Sequence, residues 1–146
     1  MKHTFCDDKG REWVIKITVG SVREVRNRLG VNLCARDAAK ILDDILSDVV
    51  MLVDIAYLCS TPQIDLPLKI SAEEFGQSLS GESLNQLATA FMDAFVAFIP
   101  NPRDRARMGK LVEKARQMAE ESQKILDKAV DQTLGAPSGS APDSSA

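Results

Sequence analysis

The chain is poor in the residues that usually announce chemistry. It has one histidine, His3, close to its start. Nucleophilic side chains are commonly activated by an adjacent base, and a lone histidine offers little to build on. The three cysteines, Cys6, Cys34 and Cys59, are odd in number and far apart. That spacing excludes a CxxC metal or redox motif and a disulfide framework. They read as reduced thiols that pack as small hydrophobes. No phosphate-cradling glycine loop and no GxSxG elbow is present. The longest apolar run, Val49 to Cys59, is broken by Asp54 and falls short of the roughly 20 residues that span a bilayer. It predicts a buried helix. The first ten residues are polar and hold no signal-peptide core. Aromatics are only 5% of the chain, so aliphatic packing must build most of the core. Catalytic, cofactor-binding and metal-binding residues are therefore all expected to be absent, and the chain is expected not to be an enzyme.

Charge is abundant but balanced. Eighteen Lys and Arg face 21 Asp and Glu, a net charge of −3, and no global field draws the chain to nucleic acid or to an anionic membrane. Paired carboxylates occur at Asp7-Asp8, Asp43-Asp44, Glu73-Glu74 and Glu120-Glu121. Adjacent residues on a helix do not face each other, so these pairs read as solvated charge. Asp43, Asp44 and Asp48 make at most a weak cation cluster, without the loop a calcium site requires.

The pattern that is present predicts an α+β fold, predominantly α. An N-terminal β-hairpin over 2–17 precedes a bundle of about five helices over about 19–134, with a long C-terminal helix and a disordered tail. In the hairpin, Asp7-Asp8-Lys9-Gly10 supplies the turn. The return strand alternates Trp13, Ile15 and Ile17 with Glu12, Val14 and Lys16, giving one apolar face. A lone hairpin is marginal in water, so that face must pack on helices or join a partner's sheet. Ser21-Val22-Arg23-Glu24 reads as a capping box, and Gly30 as the residue that ends that helix. Ala35 to Cys59 reads as helix in two pieces, restarted at Ser47-Asp48 and ended by Thr61 and Pro62, with an extended connector from Gln63 to Ile70. Ser71-Ala72-Glu73-Glu74 is a second capping box. A helix from about Glu82 to Ile99 carries Leu84, Leu87, Ala88, Phe91, Phe95 and Phe98 at helical spacing. One domain is expected over 1–134, followed by a Gly/Ala/Pro/Ser tail over 135–146.

The last helix, capped by Asn101 with Pro102 in its first turn, runs to about Leu134. At 1.5 Å per residue it is roughly 45–50 Å long, more than a domain of this size needs to cover. Leu111, Ala115, Met118, Ser122, Ile125 and Ala129 recur in alternating steps of four and three, a weak heptad seam. Leu111, Ala115, Met118 and Ile125 are therefore candidate partner-binding residues. Arg103, Arg105 and Arg107 join them, because they crowd a helix N-terminus where positive charge opposes the macrodipole. No aromatic stacking residue is interleaved there, which argues against single-stranded nucleic acid.

The order of several segments resembles a known family. Phe5, Asp7, Gly10-Arg11 and Trp13 are followed by Ile15-Lys16-Ile17-Thr18-Val19, an Arg-rich helix and Gly30-Val31-Asn32-Leu33. Ile70-Ser71-Ala72-Glu73-Glu74-Phe75-Gly76, Leu79-Ser80-Gly81 and Phe98-Ile99-Pro100 come later. Together, over about residues 3–118, these resemble small tail assembly chaperones of long-tailed bacteriophages and prophages. The resemblance implies a non-catalytic protein of the host cytoplasm that is missing from the mature virion. It implies binding to the tape-measure protein, kept soluble while the tail tube assembles, and contact with tail tube protein through a frameshifted longer form. It names no membrane or cofactor partner, and a homo-oligomer is compatible with it. The alternatives are a small nucleic-acid-binding regulator using the Arg103–Arg116 cluster, and a structural tail component.

Overall fold

The computed structural model describes residues 2–62 and 69–134. The expected connector, apart from Lys69 and Ile70, and the expected tail lie outside the described residues. The elements are β1 (His3–Cys6), β2 (Glu12–Ile15), α1 (Val19–Leu29), α2 (Ala38–Ser47), α3 (Val49–Cys59), β3 (Ser60–Pro62), α4 (Ala72–Gln77), α5 (Gly81–Phe98) and α6 (Pro102–Leu134). The fold is α+β and predominantly α, with the small antiparallel sheet at the N-terminal end. The chain divides into two units, Met1–Met108 and Gly109–Ala146.

The hairpin forms where the alternation places it. Phe5 pairs with Trp13, and His3 with Ile15. Gly10 turns the chain at φ 79°, and its N–H donates to the Asp7 carbonyl at 3.0 Å. That φ is open to glycine and strained for most other residues. Trp13, Ile15 and Ile17 are buried, as period-2 alternation requires. The sheet has a third strand that the sequence did not announce. Ser60, Thr61 and Pro62 pair antiparallel with Ile15, Val14 and Trp13. Pro62 has no N–H to give, which an edge strand tolerates. A segment read as the end of a helix thus becomes the strand that covers the open side of the hairpin.

Two helix starts also differ from expectation. α1 is capped by Thr18, three residues earlier than the expected Ser21. Thr18 is extended (φ −127°) and its Oγ1 accepts from the Ser21 N–H at 3.2 Å. The Ser21 hydroxyl in turn accepts the Thr18 N–H at 2.7 Å. Ser21 therefore fills the third helical position of a capping box. Glu24, freed from that role, pairs with Arg28 at 2.8 Å. α2 begins at Ala38 rather than Ala35, because Asp37 caps it through the Lys40 N–H at 3.1 Å. Gly30 ends α1 at φ 71°, as expected.

In the first unit three aromatic residues gather on a fourth. Phe75 of α4, fully buried, meets Trp13 edge-on at 4.9 Å between ring centroids, Phe5 at 6.0 Å and Tyr57 at 5.3 Å. Tyr57 places its hydroxyl on the Ile70 carbonyl at 2.6 Å, so its polar tip is satisfied. α5 lies along the sheet. Its inner face is Leu87, Ala90, Phe91, Ala94 and Phe95. Ala90 and Ala94 take the place expected for Ala88, and their small side chains let the helix approach β1. α3 is not buried all round. Leu52, Ile55, Ala56 and Cys59 face inward, but Val49 and Val50 are exposed. Leu29, on the same side of α1 as the buried Val22 and Val25, is exposed as well.

Removing Phe75 takes away the shared partner of three rings. Phe75→Ala is expected to destabilise the fold by about 3–5 kcal/mol. Urea unfolding followed by circular dichroism measures this, and a change below about 1 kcal/mol would contradict the packing described.

Candidate functional site

Asp43-Asp44 and Glu120-Glu121 are exposed, as solvated charge should be, but the hairpin carboxylate Asp7 is not solvated. Asp7 is buried, with its side chain fully covered. Its Oδ1 accepts the backbone N–H of Lys9 at 3.0 Å and of Arg11 at 2.9 Å. Its Oδ2 accepts the Arg11 Nε at 2.7 Å and the Trp13 indole N–H at 3.0 Å. Burial pushes the Asp7 carboxyl up, but the bonds from Trp13 and Arg11 outweigh it and hold the group below its ordinary value. Arg11 passes the connection on, donating to Glu74 at 3.3 Å and to the Ser78 hydroxyl at 2.9 Å. Lys9 also reaches Glu74, at 3.1 Å. The hydrogen bonds from Lys9 and Arg11 keep Glu74 below the usual carboxylate range. Glu74 is thus turned to the hairpin, while Ser71 caps its N–H at 3.1 Å.

Asp8 ties the same turn to the start of α5. It accepts from the Ser83 hydroxyl at 2.6 Å and the Ser80 hydroxyl at 2.7 Å, which lower its pKa. These are structural links, and every donor and acceptor at Asp7 is used within the unit. Asp48 is likewise a helix cap, accepting from the Met51 N–H at 3.1 Å. Among the described residues no group of three or more His, Cys, Asp or Glu gathers to hold a metal ion. His3 and Cys6 stand three apart on β1, an odd step that sends them to opposite faces of the sheet. Cys59 is buried and its thiol is pushed up to about 11 by burial, which keeps it protonated. Cys6 and Cys34 are exposed rather than packed.

Two apolar grooves open on the first unit. One, of about 390 Å³, lies between the sheet and α5, lined by Val14, Ile17, Ala97 and Phe98 with Lys2 and Lys16 beside them. The other, of about 330 Å³, is lined by Val49, Val50, Val53, Leu79 and Leu84 with Asp54 and Glu73. Phe91 and Phe95 line neither, being fully within the core.

The second unit exposes an apolar helix face. Among its described residues, Leu111, Ala115, Met118 and Ile125 are all exposed, Met118 to 58% and Ile125 to 71%. Leu126 at 59% and Val130 at 45% widen the same face. Heptad reading alone misses these two: Leu126 falls in the wider apolar stripe that flanks the a and d positions of an amphipathic helix, and Val130, one turn on from Leu126, lies at its edge. The polar side of the helix carries Glu113, Lys114, Glu120, Lys124 and Asp127. The basic candidates separate. Arg105 turns back and donates to the Ile99 carbonyl at 2.9 Å, closing the C-terminal end of α5. Arg103 and Arg107 are exposed. Asn101 caps α6 through the N–H groups of Arg103 and Asp104.

No helix among the described residues is long and apolar enough to cross a membrane. Comparison with protein-family models, with curated proteins and with solved structures gave no match.

The Asp7 geometry has a pH signature. A folded pKa below the ordinary value makes the linked stabilisation complete above about pH 4, and it is lost as pH falls through the folded pKa. Asp7→Asn places an amide nitrogen against two N–H donors, whichever way the amide turns. The variant is expected to lose about 2–3 kcal/mol at neutral pH, and its stability should vary less with pH below about 4 than that of the wild type. Urea midpoints between neutral pH and about pH 2.5 report both effects; an unchanged acid dependence would show that another group carries it.

Proposed function

We propose that the protein is a tail assembly chaperone of a long-tailed phage or prophage, which holds the tape-measure protein in the host cytoplasm until the tail tube forms. The observation that carries the reading is the exposed apolar face of α6, from Leu111 to Val130. Contiguous apolar surface on a soluble domain commonly marks an interaction site. The client expected from the family resemblance is a long helical polypeptide, and helix-on-helix contact through spaced anchors suits such a face. Arg105 is committed to the Ile99 carbonyl, which leaves Arg103 and Arg107 as the exposed charges of the candidate set. They suit acidic stretches of a client better than a continuous phosphate track.

Co-expression with the tape-measure protein from the same genome is the direct test. The wild-type chain should raise the soluble client at least about tenfold and co-purify with it, while Met118→Glu with Ile125→Glu should abolish both without loss of helix. Unchanged client solubility with the wild-type chain would sink the reading. Finding the protein in purified particles would move it to a structural tail component.

A further inference from the structure

We propose that the exposed face of α6 pairs with the same face of a second copy of this chain, antiparallel, over residues 113–134. The heptads of this helix are asymmetric. Leu111, Met118 and Ile125 occupy one core position and Ala115, Ser122 and Ala129 the other. The flank on one side is apolar, Ala119 and Leu126, and on the other side charged, Lys114, Glu121 and Lys128. All of these residues are exposed. In a parallel pair each apolar flank would face a charged flank of the other copy. An antiparallel pair instead sets apolar against apolar along one edge and charged against charged along the other.

The register follows from size and charge together. Placing Ile125 of one copy over Ser122 of the other also places Met118 over Ala129, so each large side chain meets a small one. The same register brings Ala119 beside Leu126, and Glu121 opposite Lys128, twice by symmetry. Sliding one heptad in one direction sets Lys114 on Lys128 and Glu121 on Glu121. Sliding one heptad in the other direction sets Lys128 on Lys128. The charge pattern thus selects the register that the side-chain volumes also select. The paired stretch is about 33 Å long. The pairing uses the face assigned above to the client but does not depend on what the client is.

Sedimentation equilibrium of the full chain, from about 1 μM to about 500 μM, tests it. The wild type should pass from monomer to dimer, and Ile125→Lys should stay monomeric with its helix content unchanged. Glu121→Lys and Lys128→Glu should each weaken the dimer about tenfold, and the two together should restore it. A spin label at Glu113→Cys, with Cys6 and Cys34 replaced by Ser, should report about 32 Å across the dimer. A monomer at every concentration overturns the proposal. So do a dimer indifferent to Ile125→Lys, a double variant no tighter than the singles, and a label distance near 10 Å, which marks a parallel pair. Client capture that survives while dimerisation fails would leave the chaperone reading standing and remove only this one.

Discussion

The Asp7 carboxylate is the point on which the first unit is organised. Four donors converge on its two oxygens, two from the turn's own backbone, one from the Arg11 guanidinium and one from the Trp13 ring. Each satisfies a group that would otherwise be left without a partner. The carboxylate stays charged in a covered position because the hydrogen bonds to it outweigh the cost of leaving water. The result is more than a closed turn. The Trp13 indole is fixed by its N–H, so the ring is held edge-on to Phe75. The guanidinium is fixed by its Nε, so its remaining nitrogens are aimed at Glu74 and Ser78. One side chain therefore orients both the apolar and the polar contacts by which the hairpin is attached to α4.

That attachment answers a problem set by the sheet itself. Strands of three and four residues do not stand alone in water. Here one edge is covered by a third strand, the inner face lies on α5, and the turn is fastened to α4 and α5 by Arg11, Lys9 and Asp8. Glu74 shows the exchange involved. As the third residue of a capping box it would reach back to its own helix start; here it accepts from Lys9 and Arg11, and Ser71 alone caps the helix. A local motif is half sacrificed for a contact between elements distant in sequence.

This exchange explains what was legible beforehand. Alternation of Trp13, Ile15 and Ile17, the turn at Gly10, the helix end at Gly30 and the Asp48 and Asn101 caps are local signals, and each is found in place. The third strand was not legible, because Ser60-Thr61-Pro62 has no strand pattern and pairs only where β2 offers a free edge. Asp7 looked like surface charge because its donors lie partly in a neighbouring strand, and a buried carboxylate differs from a solvated one only in its surroundings. The seam of α6 was legible as a period. Its exposure was not, since the same spacing serves a core face equally well.

The composition of that face bears on how it can work. Under the proposed function, a surface that takes up a helical client and later releases it cannot be closed permanently. Leu111, Met118 and Ile125 supply area, but Ala115, Ser122 and Ala129 bury little between them. Leucines at those three positions would add roughly 2–3 kcal/mol each on full burial, enough to make any contact there hard to undo. In the proposed pair, small residues would keep the contact weak while preserving its geometry, because they would let the backbones approach and leave room for the other copy's large side chains. The charged flank then carries what discrimination there is, through alternation of Lys and Glu rather than through strength. On this argument the same helix can shelter its apolar face against a second copy and yield it to a longer client that offers more area per turn.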